Sequence, residues 1–189
     1  QSSQRMRSLV ENILDMARLQ SGPVQLRQEW QAFEEVLGAS LQEIKTMAGN
    51  RQIISTVPSD LPLLRFDSVL IQRVLINLLE NAVKYTPDNG AIYIEARTEG
   101  DQVSIKVSDN GVGIPAEERD KIFEKFYRGS SSGSTQGAGL GLSISRTIIE
   151  AHQGKISASE SAYGGLAIEF SLPWSPIPSA KEHVKELLP

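Results

Sequence analysis

The sequence predicts an α+β fold, a two-layer sandwich with helices on one face of a mixed sheet. Two observations carry this prediction. Short runs alternate apolar and polar residues as strands do, for example across 92–96 and 103–107. Longer segments, above all 67–85, repeat their apolar residues at helical spacing. The 189 residues suffice for one such domain with attached segments, and an apolar share of 40% is ordinary for a globular core.

Composition excludes several classes of protein. The 19 basic and 23 acidic residues give a net charge of -4, which argues against a nucleic-acid partner. We see no membrane segment, because no apolar run approaches the roughly 18 residues that a spanning helix needs. The absence of cysteine excludes disulfides and thiolate metal sites.

Three parts follow one another along the chain. Residues 1–22 contain an amphipathic helix over 4–19, which ends at Ser21-Gly22-Pro23. This helix either lies on the domain or belongs to a helical dimer stem, and we favour the stem because it stands outside the α/β pattern that follows. Residues 23–174 form the α+β domain, and 175–189 form a polar, proline-bearing tail.

The domain itself is predicted to alternate short strands and helices. Asp67 is suited to cap the longest helix, because an aspartate before the first turn accepts a free backbone N–H. Turns are expected at 86–90, 99–101 and 164–165, and a serine- and glycine-rich loop at 130–134. The strands are predicted at 24–30, 52–57, 63–66, 92–96, 103–107, 155–159 and 166–172, and the helices at 33–47, 67–85, 115–128 and 139–152.

The helix at 67–85 is apolar around most of its circumference, which predicts that it is buried. Its polar residues form one narrow stripe, and such a stripe must line a cleft or find internal partners. Asparagine carbonyl oxygens suit a hard cation, and a lysine suits a phosphate. The alternative is a solvated helix face. The stripe consists of Arg73, Asn77, Glu80, Asn81 and Lys84.

The segment Asp109-Asn110-Gly111-Val112-Gly113-Ile114 follows a strand directly. A carboxylate at a strand end can accept a hydrogen bond from an adenine amino group. The two glycines allow the backbone to approach a flat ligand closely. The alternative is an ordinary Asp-Asn-Gly turn.

Glycines also open the helix that follows the serine-rich loop, in Gly137-Ala138-Gly139-Leu140-Gly141-Leu142. Free N–H groups and the dipole at a helix start favour a phosphate. The spacing matches neither a P-loop nor a dinucleotide fingerprint. In the preceding segment 123–128, Phe123 and Phe126 are expected in the core, and Arg128 either reaches a phosphate or makes a surface pair.

These motifs in this order resemble the histidine-kinase branch of the ATPases that share the Bergerat fold. Residues 77–85 look like the family's N box, and 109–114 look like its first glycine box. Residues 123–128 look like its F box, and 137–142 look like its second glycine box. Gly164-Gly165 matches the last glycine motif. The resemblance covers nearly the whole chain.

The resemblance implies a role for each motif residue in binding ATP and Mg²⁺. Asn81 would ligate Mg²⁺, and Asp109 would bind adenine. Asn77 and Glu80 would be the catalytic pair. Hydrolytic relatives carry a water-activating glutamate where Asn77 stands, so phosphoryl transfer to a protein side chain is the better interpretation. The remaining nucleotide contacts would be Lys84, Tyr85, Gly111, Gly113, Ile114, Arg128, Gly137, Gly139, Leu140, Gly141 and Leu142.

The resemblance also implies partners. Residues 1–22 look like the second helix of a dimerisation stem, whose first helix carries the phosphoacceptor histidine. The two histidines here, His152 and His183, lack the context of that residue, so we do not expect this chain to phosphorylate itself. A response regulator would receive the phosphate. The parent protein would be a homodimer anchored in the bacterial inner membrane, with this portion in the cytoplasm.

Three segments, 14–22, 29–30 and 73–85, further resemble potassium-responsive sensor kinases. Two alternatives remain. An anti-sigma-type serine kinase shares the nucleotide boxes but should lack a stem helix. A non-catalytic nucleotide-binding module would keep the cleft without the chemistry.

Overall fold

The computed structural model describes residues 25–129 and 139–176. The predicted helix at 4–19, the loop at 130–134, Gly137, His183 and the tail beyond 176 lie outside the described residues. The strands are β1 (Glu29–Gln31), β2 (Gln52–Thr56), β3 (Leu64–Phe66), β4 (Ala91–Glu99), β5 (Gln102–Asp109), β6 (Ile156–Glu160) and β7 (Leu166–Pro173). The helices are α1 (Phe33–Ala48), α2 (Ser68–Tyr85) and α3 (Gly141–Ala151).

Five strands form one mixed sheet in the order β2-β4-β5-β7-β6, which confirms the predicted fold class. β2 pairs with β4 in parallel, and the other neighbours are antiparallel. β1 and β3 form a separate antiparallel pair. The register brings the end of β5, at Asp109, beside the start of β4 and close to the β6–β7 turn.

α2 and α3 lie on the apolar face of this sheet, where α2 contacts β5 and α3 contacts β6 and β7. α1 packs against α2 on the side away from α3. On the sheet, the alternate residues Ile92 and Ile94 of β4 and Val103 and Ile105 of β5 are fully buried, as their period of two requires. The other face is polar, and Glu169 there accepts from Arg97 and Lys106.

Helix α2 begins where its sequence predicts. Oδ1 of Asp67 accepts a hydrogen bond from the backbone N–H of Leu70 at 3.2 Å, which satisfies one of the free donors of the first turn. Ile71, Leu75 and Leu79 lie on the buried side with no exposed surface. Each such side chain contributes about 1.5–3 kcal/mol by leaving water. No helix in the described residues is long and apolar enough to cross a membrane.

Two predicted elements differ in the structure. Of the strand predicted at 24–30, the described residues pair only from Glu29 onward. The helix predicted at 115–128 is wrong, because the segment contains two short 3₁₀ turns, Ala116–Glu118 and Lys121–Phe123. Its buried residues are the neighbours Ile122 and Phe123, which do not form the continuous apolar stripe that stabilises a helix. The expectation that Phe126 lies in the core is also wrong, because 69% of its surface is exposed where the chain turns through a left-handed φ of 63°.

Candidate functional site

Asp109 is the most buried acidic group of the candidate site, with 5% of its surface exposed. Its Oδ1 accepts hydrogen bonds from the backbone N–H of Gly111 at 2.8 Å and of Leu166 at 3.3 Å. Burial raises the pKa of the Asp109 carboxyl above its ordinary value, and the two N–H groups lower it by less. Because Oδ1 is engaged by the backbone, Oδ2 is the oxygen that remains for a ligand.

Two glycines let the chain close tightly around this carboxylate. A Cβ atom on Gly165 would stand 2.1 Å from Oδ1 of Asp109, and one on Gly111 would stand 2.3 Å from the carbonyl oxygen of Tyr85. Both distances are far below van der Waals contact. Only glycine therefore allows the β6–β7 turn and the end of α2 to meet at Asp109.

Three of the predicted nucleotide residues lie along the last turns of α2. Asn81 uses its amide nitrogen to donate to the carbonyl oxygen of Asn77 at 2.9 Å, so its own Oδ1 remains for a cation. Nζ of Lys84 lies 4.8 Å from the ring centre of Tyr85. All three side chains are half-buried, and the backbone of Tyr85 abuts Gly111, whose N–H holds Asp109.

Asn77 joins α2 to the start of α3. Its side chain is 4% exposed, and its Nδ2 donates to the carbonyl oxygen of Gly141 at 3.1 Å and to Oγ of Ser145 at 3.4 Å. A Cβ on Gly141 would lie 3.4 Å from the Asn77 amide, so the two helices nearly touch here. Glu80, the other predicted catalytic residue, is half-buried on the same helix.

The second glycine segment enters α3 through a sharp turn at Gly139, whose φ is 68°. The Gly139 carbonyl oxygen accepts from the backbone N–H of Phe126 at 2.9 Å. Leu140 is buried and Leu142 packs against the core, so a ligand could contact the backbone of these two residues but not their side chains. Arg128 is exposed.

A cleft of about 320 Å³ borders the site. It lies between the segment 112–115 and the turn at Gly164–Gly165, with Arg119 and Glu160 at its edge. Its lining includes Gly113 and Ile114, which the sequence predicts for the nucleotide, but not Asn81 or Lys84. The cleft therefore contains the Gly113–Ile114 part of the candidate nucleotide site and not the part formed by α2.

Sequence reasoning missed two contributors to the site. Leu166 donates its backbone N–H to Asp109, and Oγ of Ser145 accepts a hydrogen bond from Asn77. A backbone donor leaves no trace in residue type. The pair Gly164-Gly165 was recognised as a turn and as the last glycine motif, but its contact with Asp109 crosses more than 50 residues of sequence and depends on the sheet register.

Comparison with known proteins matches residues 66–176 to the family described as histidine kinase-, DNA gyrase B-, and HSP90-like ATPases. The chain belongs to this family. Its structural neighbours place it in the histidine-kinase branch, as the ATP-binding catalytic domain of a sensor histidine kinase.

The curated relatives of this domain are sensor kinases. Over 179 residues it is 41% identical to the sensor protein KdpD of Escherichia coli. The matched region covers 95% of this chain and 20% of KdpD. It is 40% identical over 143 residues to the adaptive-response sensory kinase SasA of a Nostoc species, covering 75% of this chain and 35% of that protein. The chain thus spans between a fifth and about a third of these relatives.

Two solved histidine kinases have the same fold. Full-length ShkA in complex with AMPPNP superposes with a TM-score of 0.81 at 28% identity, covering 94% of this chain and 38% of ShkA. The mycobacterial sensor histidine kinase MprB gives a TM-score of 0.70 at 28% identity, covering 79% of this chain and 99% of the MprB chain.

Proposed function

We propose that this domain binds ATP with Mg²⁺ and transfers the γ-phosphoryl group to a histidine of a stem helix, for relay to a response regulator. The observation that carries the proposal is the buried Asp109, whose Oδ1 is held by two backbone N–H groups. Neither of these two bonds uses Oδ2, so Oδ2 of this buried carboxylate is the acceptor for the adenine amino group.

Adenine would lie between Asp109 and the side chain of Ile114, with Gly111 and Gly113 allowing its close approach. A flat apolar ring suits this setting, because one wall is glycine backbone and the other is an aliphatic side chain packed on the core. Tyr85 and Lys84, at the end of α2, would face the sugar and phosphates.

The residues present fit a magnesium ion. The carbonyl oxygen of Asn81 is a hard ligand of the type that Mg²⁺ accepts, and its orientation is set by the bond from its amide to Asn77. Mg²⁺ commonly keeps water and substrate phosphates as its other ligands, so one protein oxygen suffices. When bound, the ion would neutralise phosphate charge.

The chain's own residues would act mainly by positioning. Asn77 would hold α2 against α3 through its side-chain hydrogen bonds. Because its amide is not a base, phosphoryl transfer to a protein side chain is favoured over activation of water. The start of α3 at Gly139–Leu142, with Gly137 before it, would present backbone N–H groups to the phosphates. Glu80 and Arg128 would lie at the border of the site, as candidates for the transfer step and for a phosphate contact.

The parent protein's activity and partners follow from its relatives. Similarity to KdpD over 95% of this chain supports a potassium-responsive sensor kinase. We infer that the parent is a homodimer through its stem, with a response regulator as the phosphate acceptor. This domain would lie on the cytoplasmic side of the inner membrane.

Calorimetric titration with ATP, with and without Mg²⁺, tests the proposal on the wild type and on Asp109→Asn. We expect saturable binding to the wild type and none to the variant, because the amide would present a donor or a weaker acceptor to adenine. The variant should remain folded, since removing a buried charge relieves a desolvation cost. Asp101→Asn, at the exposed β4–β5 turn, is the matched control. Equal binding to Asp109→Asn and wild type would reject the adenine site.

A further inference from the structure

Arg51 lies where the C-terminal ends of two helices meet. Its Nε donates to the carbonyl oxygen of Thr86 at 2.9 Å, beyond the end of α2. Its Nη1 donates to the carbonyl oxygen of Ala48 at 3.3 Å, at the end of α1. Its Nη2 lies 2.8 Å from Oδ1 of Asp88. The side chain is 15% exposed, so these contacts lie largely out of solvent.

The charge and shape of arginine both suit this position. Each helix ends with unpaired carbonyl oxygens and a partial negative charge, which a cation stabilises. A guanidinium group can donate in several fixed directions at once, so it reaches both helix ends together. The ion pair with Asp88 contributes less, because the Asp88 side chain is 89% exposed. The two carbonyl contacts are therefore the main role of Arg51.

The carbonyl that Arg51 holds is one residue from the candidate site. Thr86 follows Tyr85, and the carbonyl oxygen of Tyr85 abuts Gly111 so closely that a Cβ there would stand 2.3 Å away. Gly111 in turn donates its N–H to Oδ1 of Asp109. A shift of the α2 end would thus move the donor that orients the carboxylate.

A second contact path joins the same two segments. Gly90 lies at the end of the turn that Thr86 begins, and a Cβ there would meet Cγ2 of Thr86 at 2.4 Å and Oδ1 of Asn110 at 2.6 Å. Oδ1 of Asn110 accepts from the backbone N–H of Ala91 at 2.9 Å. The turn 86–90 is therefore packed directly on the segment that follows Asp109.

We propose that Arg51 is a positioning residue of the nucleotide site, acting through the Thr86 carbonyl and the Tyr85–Gly111 contact on Asp109. The inference rests on the proposed function, because it assigns the affinity for adenine nucleotide partly to a residue outside the site. Without the guanidinium, the end of α2 loses its link to the end of α1, and its packing on Gly111 and Asn110 is left to hold it. A misplacement of about 1 Å that originates outside a site can cost on the order of a hundredfold in rate, so we expect a smaller shift to weaken nucleotide binding by about tenfold.

The experiment compares Arg51→Gln with Arg97→Gln. Arg97 also has two acidic partners, Glu99 and Glu169, but it lies toward the far end of β4 from the site. ADP affinity is measured by calorimetry well below the melting temperature of each variant. We expect about a tenfold rise in the dissociation constant for Arg51→Gln and wild-type affinity for Arg97→Gln.

A second readout separates positioning from loss of stability and needs no nucleotide. The backbone amide resonance of Gly111 reports its hydrogen bond to Asp109 in the free protein. It should move in the ¹H–¹⁵N spectrum of folded Arg51→Gln and stay in place in Arg97→Gln. If wild-type protein binds no ADP, the proposed function fails, while the Gly111 resonance still decides the role of Arg51.

Two more variants complete the test. Arg51→Lys keeps the charge and the fold but cannot reach both helix ends, so it should shift the Gly111 resonance and weaken ADP binding, less than Arg51→Gln does. Asp88→Asn leaves both carbonyl contacts and should bind ADP as the wild type does. Wild-type affinity together with an unmoved Gly111 resonance in Arg51→Lys would overturn the proposal, even if Arg51→Gln does not fold.

Discussion

Nε2 of His152 accepts a hydrogen bond from the backbone N–H of Asp67 at 3.1 Å, which joins the end of α3 to the start of α2. Nδ1 of the same ring lies 2.8 Å from the carbonyl oxygen of Ile148. One nitrogen must accept and the other donate, so the ring is neutral with its hydrogen on Nδ1. Burial lowers the pKa of His152, against smaller raising effects of the Ile148 bond and the Asp67 charge.

The free energy of unfolding should therefore fall as the pH is lowered below about 6.5, the ordinary pKa of histidine. The unfolded chain takes up the proton first, at about pH 6.5, whereas the folded ring resists it. The contribution of His152 is fully present above that value and is lost as the pH falls toward the lower folded pKa. Urea unfolding across this range should show the loss in the wild type.

His152→Gln is the matched variant for this test. Glutamine keeps a carbonyl oxygen for the Asp67 N–H but does not titrate, so its unfolding midpoint should depend less on pH over the same range. Identical pH dependence in the two proteins would show that His152 does not titrate on unfolding.

Gly165→Ala should abolish nucleotide binding. The new Cβ would stand 2.1 Å from Oδ1 of Asp109 and 2.6 Å from the Gly111 nitrogen, so the carboxylate has to move. Overpacking of this kind costs about 1–3 kcal/mol of stability. Calorimetry with ATP and thermal unfolding measure the two effects, and normal ATP affinity would mean that the carboxylate can shift without consequence.

Gly38→Ala should raise the stability of the domain. Gly38 lies inside α1, and a Cβ there meets nothing within 4 Å. Alanine in a helix interior is favoured over glycine by about 0.5–1 kcal/mol, so the melting temperature should rise. ATP affinity should not change, and a fall in melting temperature would contradict the open space seen at this position.

Asn77→Asp should destabilise the α2–α3 contact. The substitution replaces the Nδ2 donor by a carboxylate oxygen facing the Gly141 carbonyl oxygen, which also accepts. A buried hydrogen bond lost in this way costs about 1–3 kcal/mol. Asn50→Asp, on the exposed turn after α1, makes the same chemical change where nothing is buried. Equal urea midpoints for the two variants would mean that the hydrogen bonds of Asn77 to α3 do not contribute to the free energy of unfolding.

Local patterns explain what the sequence predicted well. The cap at Asp67 and the turn at Gly100 depend on neighbouring residues alone, and the periodicity of α2 identified its buried side. The segment 115–128 failed because its shape depends on a distant contact. Phe126 has a left-handed φ of 63°, and its N–H pairs with the Gly139 carbonyl oxygen, thirteen positions away along the sequence.

The candidate site also contains residues that local sequence predicted and residues that it could not predict. Asn81, Lys84 and Asp109 stood out because their residue types are unusual on a buried helix and at a strand end. The surroundings of Asp109 could not be predicted, because Leu166 acts through its backbone and Arg51 acts through a carbonyl 35 residues away. The roles assigned to the site residues are predictions, and the variants above test those of Asp109, Asn77 and Gly165.

The parallel pairing of β2 with β4 has a consequence for the order of folding. β4 and β5 close through a short turn, and such hairpins form in about 1–10 μs. β2 can pair with β4 only after β3 and α2 have crossed between them, which carries the entropy cost of closing a long loop. The crossover carries Asn81, and the hairpin ends at Asp109. We therefore expect the two halves of the site to meet only once this long loop has closed, so that a bound nucleotide stabilises the native state over the partly folded ones.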